Sequence, residues 1–329
     1  MPEPIRCGLL GINHSHALSV LRMLQRLPDY EVVGVCEPDE AVRADFEGRI
    51  EGAPWLTREQ LLGDETVRMV AIESDVPRLL SLAQEAVDAG KHIHLDKPAG
   101  TSLPDFRRLL DTAEASDLII AMGYMFRYNP GFDLIRRAHQ EGWLGEVYSI
   151  EASMCTDLPA PRRDRINFHD GGIMLELGCH LIDMIVLLLG PPQRVVPVLR
   201  SDGHFDDGLS DNTHALFEYP HGMVMLSVAA MEPQAFATRR FKISGQHGTA
   251  VLSPLEPPEL RLSLRHDAGD FEAGVHTPEV PNRPRHEGDL IELAQCIRGE
   301  HEFPYSKTHD YNVQRTVLEA STRRKIIVP

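Results

Sequence analysis

The sequence is short of several things. Cysteine occurs only 5 times in 329 residues, as Cys7, Cys36, Cys155, Cys179 and Cys296, an odd number with no CxxC spacing. That excludes a disulfide framework and predicts a reduced chain that uses its thiols as small core residues. Positive charge is also scarce: 33 Lys plus Arg stand against 49 Asp plus Glu, a formal net charge of −16. Such a surface repels phosphate backbones and anionic lipid, so nucleic acid and membrane surfaces are poor partners. No basic stretch followed by an apolar run and a small-residue cleavage site opens the chain, so no signal peptide is expected and a cytoplasmic location is. The most apolar stretch, Ile173 to Leu189, contains Glu176, His180 and Asp183, which predicts a buried helix rather than a membrane span. The sequence has no repeat, no low-complexity tract and no HExxH motif.

What is present is ordinary globular composition, 42% hydrophobic and 25% charged. A chain of this length predicts about two domains at roughly 150 residues each. In the first part, short apolar runs (Arg6 to Leu10, Glu31 to Cys36, Val67 to Ile72, His92 to Leu95, Leu118 to Met122) alternate with helical patterns. Ala17, Val20, Leu21, Leu24 and Leu27 recur at helical spacing, as do Leu79, Leu82, Ala83, Ala86 and Val87 before Gly90. Ser102 is placed to cap a third helix, with Pro104 in its first turn. Strand–helix alternation predicts an α/β, doubly wound parallel sheet covered on both faces.

After about residue 123 the pattern changes. A helix is expected over Pro130 to Gly142, a strand over Glu146 to Ser153 and a long buried helix over Gly171 to Gly190. Strands follow without helices between them: Thr213 to Tyr219, Met223 to Ala230, Arg240 to Ser244 and Thr249 to Ser253. Residues 254–286, rich in proline and charge, are expected to run as a long excursion, and two helices near 287–298 and 309–324 close the chain. The expected organisation is therefore a dinucleotide-binding domain over 1–123 and an α+β domain over 124–329.

Gly8 to His16 lies between the first strand and the first helix. A glycine-bearing turn there aims helix N–H groups at an anion such as a dinucleotide pyrophosphate. Gly11 stands as the first fingerprint glycine, while Asn13 and His16 occupy the second and third positions. Asn tolerates a left-handed backbone, whereas His16 cannot give the close packing of glycine. Glu37, just past the second strand, can accept bonds from an adenosine ribose and would repel a 2′-phosphate, which favours NAD over NADP.

Later segments resemble the Gfo/Idh/MocA family, the glucose–fructose oxidoreductase and inositol dehydrogenase group. His92-Ile93-His94-Leu95-Asp96-Lys97-Pro98, after Ala89-Gly90, resembles its "AGKHV..EKP" signature. Gly123 to Pro130 resembles "GYxxRFxP", and Gly142 to Val147 resembles "GxIGEV". Gly171 to Asp183 resembles "GGGxLxDxGxHxxD", and Ile243 to Thr249 resembles "I.GT.GT". The matches are collinear and span essentially the whole chain. Asp96 and Glu176 depart from the family's usual Glu and Asp.

The resemblance implies a Rossmann domain followed by a domain with an open, largely antiparallel sheet, often packed against another subunit, so a homo-oligomer through that sheet is expected. It implies NAD(P)-dependent oxidation of an alcohol carbon of a sugar, cyclitol or related polyol, or the reverse reduction. It places Lys97 and His180 beside the nicotinamide, Lys97 to steady a developing alkoxide and His180 as the base, a task imidazole suits near neutral pH. It also implies a cis Lys97–Pro98 bond. Glu176, His180 and Asp183 share one helical stripe, and Glu176 can orient His180 or share its proton relay. The residues expected at the cofactor are Gly11, Asn13, His14, His16, Glu37, Ser74, Asp96, Lys97 and Pro98. Those expected at the substrate are Arg127, Tyr128, His169 and Asp183. No metal is expected, since His92 and His94 alternate across a strand and cannot easily chelate one ion together. Two other readings remain open at this point: a non-catalytic dinucleotide sensor, and NAD-assisted glycoside cleavage within the same family.

Overall fold

A computed structural model describes residues 3–323. The chain divides into two compact units, one of residues up to Met125 together with Pro284–Tyr311, the other of Phe126–Arg283 and the residues from Asn312.

The first unit is built on a parallel sheet of five strands in the order β2-β1-β3-β4-β5. They are β1 (Ile5–Leu10), β2 (Tyr30–Cys36), β3 (Met69–Ile72), β4 (His92–Leu95) and β5 (Ile120–Met122). The strands read as near-continuous apolar runs because both faces are covered. Crossovers run through α1 (Ala17–Arg26), the short helices α2 (Glu40–Phe46) and α3 (Arg58–Leu62), α4 (Val76–Asp88) and α5 (Leu103–Ala115). The α1 face Ala17, Val20, Leu21 and Leu24 is buried as its spacing predicts. Leu24 is fully enclosed, so Leu24→Ala should cost roughly 2–5 kcal/mol. Ser102 caps α5 by accepting from the Asp105 N–H at 3.3 Å. The helices α2 and α3 are additions to the sequence reading. Asp39 caps the first, and Thr57 with Gln60 forms a reciprocal capping box on the second.

Pro284–Tyr311 returns to this first unit. Its helix α9 (Glu287–Ile297) places Leu290, Leu293, Ala294 and Ile297 in the same core as β1 and α1. Tyr30 donates its hydroxyl to the Leu290 carbonyl at 2.6 Å, and Arg68 donates to the Ile297 carbonyl at 2.8 Å. No helix among the described residues is long and apolar enough to cross a membrane.

The second unit carries an eight-stranded sheet in the order β13-β12-β11-β10-β6-β9-β8-β7. These are β6 (Val147–Ser153), β7 (Arg194–Arg200), β8 (Asn212–Glu218), β9 (Met223–Ala229), β10 (Arg240–Gly245), β11 (Gly248–Leu252), β12 (Leu260–Leu264) and β13 (Gly274–His276). Every neighbouring pair is antiparallel except β6 with β9. Helices α6 (Pro130–Gln140) and α8 (Cys179–Leu189) pack on one face, α7 (Ala160–Ile166) follows β6, and α10 (Lys307–Ala320) belongs to this unit from Asn312 on. Alternation is clean in β9, where Val224, Leu226 and Val228 are buried while Met223 and Met225 are exposed.

Three expectations are corrected. Residues 254–286 are not simply an excursion, because Leu260, Leu262 and Leu264 alternate inward and make β12, to which β13 adds. The strand β7 went unread because Pro197 sits inside it. At the sheet edge the missing N–H costs nothing. The segment before Gly171, for which no element is expected, contains α7, and its Arg163 is buried, donating to Asp207 and Asp211 at 2.6 and 2.8 Å. The end of the last expected helix, at residue 324, lies outside the described residues.

Candidate active site

In the first unit the turn after β1 is stitched to its neighbours. Gly11 has φ +78°, and a Cβ there would stand 2.9 Å from the Ser74 Cβ, so only glycine fits. The Gly11 N–H donates to the Cys36 carbonyl at 2.8 Å, the Ile12 N–H to Glu37 Oε2 at 2.8 Å and the His14 N–H to the Glu73 carbonyl at 3.0 Å. The N–H groups of Asn13, Ser15 and His16 meet no internal acceptor among the described residues. They leave donors at the start of α1 for an anion, and with the close approach at Gly11 they fit a dinucleotide pyrophosphate.

Glu37 stands just beyond the end of β2, where sequence reasoning puts it, but its side chain is turned inward. Besides Ile12 it accepts from the Asp39 N–H at 2.9 Å, and Arg78 lies 3.4 Å away. Arg78 also meets Asp75 at 2.6 Å and Asp39 at 3.9 Å, so one guanidinium sits among three carboxylates. Ser74 donates to Asp75 at 3.0 Å.

Beneath the turn lies a dense group of imidazoles and carboxylates. Asp96 follows β4, accepts from the Lys97 N–H at 2.8 Å, and is flanked by His14, in a close ion pair, and by His16 at 3.2 Å. Burial disfavours its charge, but the two rings together outweigh this and hold the carboxyl well below its usual range. Burial pushes His16 down to about 4 against the attraction of Asp96. Glu73, directly after β3, is raised by burial and then by the Asp96 charge. His94 bridges Glu73 at 3.3 Å and Asp289 at 3.1 Å. Burial opposes its charge, yet the bonds to Asp289 and Glu73 raise it to about 10. Lys97 is buried at the end of β4, and its bond to Pro98 is cis, as the resemblance implies.

In the second unit the segment from Gly171 is helical, but Met174–Gly178 forms a π turn before α8 begins. Such a turn widens the backbone spiral and is frequent at functional sites. It sets Glu176 half-buried and leads into the buried His180 and Asp183, which excludes a solvated stripe for the latter two. The His180 ring lies 5.9 Å from the Phe126 ring, edge to face. Arg127, buried rather than on the surface, grips Asp183 through Nη2 at 2.6 Å and Nε at 3.0 Å. Two residues expected at the substrate thus hold each other. Tyr128 is half-buried, and His169 accepts from the Gly171 N–H at 3.0 Å while burial lowers its pKa.

Sequence reasoning missed Glu73, Arg78, His286 and Asp289. Glu73 had a signal, as a carboxylate at the carboxyl end of a predicted strand. The approach of Asp289 to His94 had none, being 195 residues away in the chain.

Comparison with known proteins agrees with both units. A family model described as an oxidoreductase family with an NAD-binding Rossmann fold matches residues 5–124, and one for the GFO/IDH/MocA C-terminal domain matches residues 132–251. The Escherichia coli (strain K12) uncharacterized oxidoreductase YdgJ is 27% identical over 277 residues, covering 80% of this chain and 75% of its own. The Bos taurus trans-1,2-dihydrobenzene-1,2-diol dehydrogenase is 24% identical over 272 residues, 80% of this chain and 78% of its own. The solved 3-ketoreductase KijD10 of Actinomadura kijaniata, in complex with NADP and TDP-benzene, shares the fold with a TM-score of 0.79 at 21% identity, covering 97% of each chain. With model matches over both halves, this chain belongs to the Gfo/Idh/MocA family of oxidoreductases and carries that family's NAD-binding Rossmann fold.

Proposed function

We propose that this protein transfers a hydride between NAD and an alcohol or ketone carbon of a sugar, cyclitol or related polyol. The match to an NAD-binding oxidoreductase family carries the reading. The relatives' names agree in kind: one is a diol dehydrogenase and another a 3-ketoreductase. The first unit binds the dinucleotide, with the start of α1 facing the pyrophosphate, and Phe126–Arg283 of the second unit holds the substrate. The exposed sheet residues Tyr148, Val198, Met223 and Met225 suit self-association through that face.

Bound NAD supplies the hydride acceptor for alcohol oxidation. His180 takes the hydroxyl proton at an imidazole nitrogen, Glu176 positions that ring, and the Lys97 ammonium steadies the alkoxide oxygen as its charge develops. Arg127 and Asp183 form a rigid wall from which Tyr128 and His169 meet the substrate's other hydroxyls. NAD is preferred over NADP because three carboxylates, Glu37, Asp39 and Asp75, gather around Arg78 at the ribose end. The test is a screen at the NADH absorbance band against sugars, cyclitols and sugar acids, with NAD and NADP in parallel. Substrate-dependent reduction of NAD is expected. Saturable NAD binding with no turnover across the panel would instead make the protein a dinucleotide sensor.

A further inference from the structure

Four side chains from the ends of three strands meet beneath the β1–α1 turn. His14 and His16 follow β1, Glu73 follows β3 and Asp96 follows β4. One donor atom from each lies within 4.8 Å of all the others. The strands β1, β3 and β4 are adjacent, and the sheet order reverses direction between β1 and β3, so the group sits at the topological switch point where open α/β sheets bind ligands. Its floor is dry: Glu73 and Asp96 are each 1% exposed. Two carboxylates held that close in a buried place need compensating positive charge, either from the imidazoles beside them or from a cation that displaces the imidazole protons. Glu73, one of the four, has an Oε2 that accepts no hydrogen bond among the described residues.

A second layer surrounds the first. His94 reaches Glu73 Oε1 with one ring nitrogen at 3.3 Å and Asp289 with the other at 3.1 Å, and His286 stands 3.4 Å from the same Asp289 oxygen. Carboxylate–imidazole chains of this kind orient metal ligands and tune their basicity. The glycine-for-histidine exchange at His16 then has a purpose beyond weakening a phosphate loop, since it places a second imidazole two residues from the first.

We propose that His14, His16, Glu73 and Asp96 together bind one divalent first-row cation of the zinc or cobalt class. Two imidazole nitrogens with two carboxylate oxygens suit a borderline ion, whereas calcium and magnesium select all-oxygen shells. Both imidazoles are reached from the surface, with side chains 11% and 20% exposed, while the carboxylates lie below them, so the cation enters from the turn. His14, His16 and Asp96 are also expected at the dinucleotide, so cation binding is measured on the full-length protein without dinucleotide or substrate, where its failure is distinguishable from a failure of the hydride-transfer reading.

The experiment strips the protein with a chelator and titrates it with Co²⁺ by visible absorption and with Zn²⁺ by calorimetry. About one equivalent per chain is expected, with ligand-field bands that Zn²⁺ abolishes and X-ray absorption showing nitrogen and oxygen neighbours at roughly 2.0–2.2 Å, part of them imidazole. His16→Gln and Asp96→Asn should each weaken binding by about 100-fold, while His301→Gln, an exposed residue of a separate cluster, should leave it unchanged. Circular dichroism and melting curves establish that each variant is folded. If both variants unfold, the absorption spectrum of the wild-type protein decides alone. Binding of less than about 0.2 equivalents at roughly 100 µM cation would reduce the cluster to a hydrogen-bonded network and overturn the proposal, as would a full equivalent retained by a folded His16→Gln, Asp96→Asn double variant.

Discussion

Arg127 and Asp183, 56 residues apart, meet in a two-pronged buried contact, Nη2 to Oδ1 at 2.6 Å and Nε to Oδ2 at 3.0 Å. The planar guanidinium matches the carboxylate, so α8 is tied to the segment that leads into α6. Removing one partner strands the other in a dry place. Arg127→Ala and Asp183→Ala should each cost about 3–5 kcal/mol in urea unfolding, while the Arg127→Leu, Asp183→Leu double variant should lose less than either single change. Additive losses in a full double-mutant cycle would show that the pair does not act as a unit.

The proposed chemistry places the heaviest demand on two side chains. Lys97→Met and His180→Gln should each lower turnover by about 100-fold or more, with NAD affinity little changed in His180→Gln. A wild-type rate in either variant would remove that residue from the mechanism.

Glu37 holds the Ile12 and Asp39 N–H groups, and in the proposed function it also sets the charge at the ribose end. Glu37→Gln keeps an acceptor and removes the charge. Its ratio of NAD to NADP affinity should fall by about 10-fold, one charge–charge contact of roughly 1.4 kcal/mol, measured by fluorescence titration. Tighter binding of NADP than NAD by the wild-type protein would contradict the assignment.

Gly11→Ala tests the turn itself. At φ +78° with the Ser74 Cβ 2.9 Å from the new methyl group, both backbone and packing resist it. A loss of about 1–3 kcal/mol in unfolding and a larger fractional loss of dinucleotide affinity are expected.

All five thiols are buried. Burial pushes Cys36, Cys155 and Cys296 each up to about 11, and Cys7 higher still. At pH 8 only about 1 in 1,000 of a thiol at 11 is thiolate, so iodoacetamide should label the native protein hardly at all and the urea-unfolded protein at every cysteine. Rapid native labelling would show that one of these thiols is open.

Much of this was legible in the chain. The five strand runs, the spacing of Ala17 to Leu24 and the cap at Ser102 are local patterns, and local patterns survive folding when tertiary packing agrees with them. Pro197 and the proline-rich stretch around β12 misled because a proline's cost depends on whether a neighbouring strand needs its N–H, which only the sheet order reveals. The collinear motifs from Asp96 to His180 carried the family, since chemistry-bearing residues at set spacings are a long-range signal written in short pieces.

By itself the sequence determined the alternation of strand and helix, the acidic character and the motifs that mark the family. Each of these depends on a residue and its near neighbours. Only the tertiary structure decided that Arg127 closes on Asp183, that α9 returns to the first unit's core, and that Glu73 and Asp96 join two histidines under one turn. Those partners lie tens to hundreds of residues apart, and a buried charge takes whichever counter-group the backbone path delivers to it. No periodicity encodes that choice.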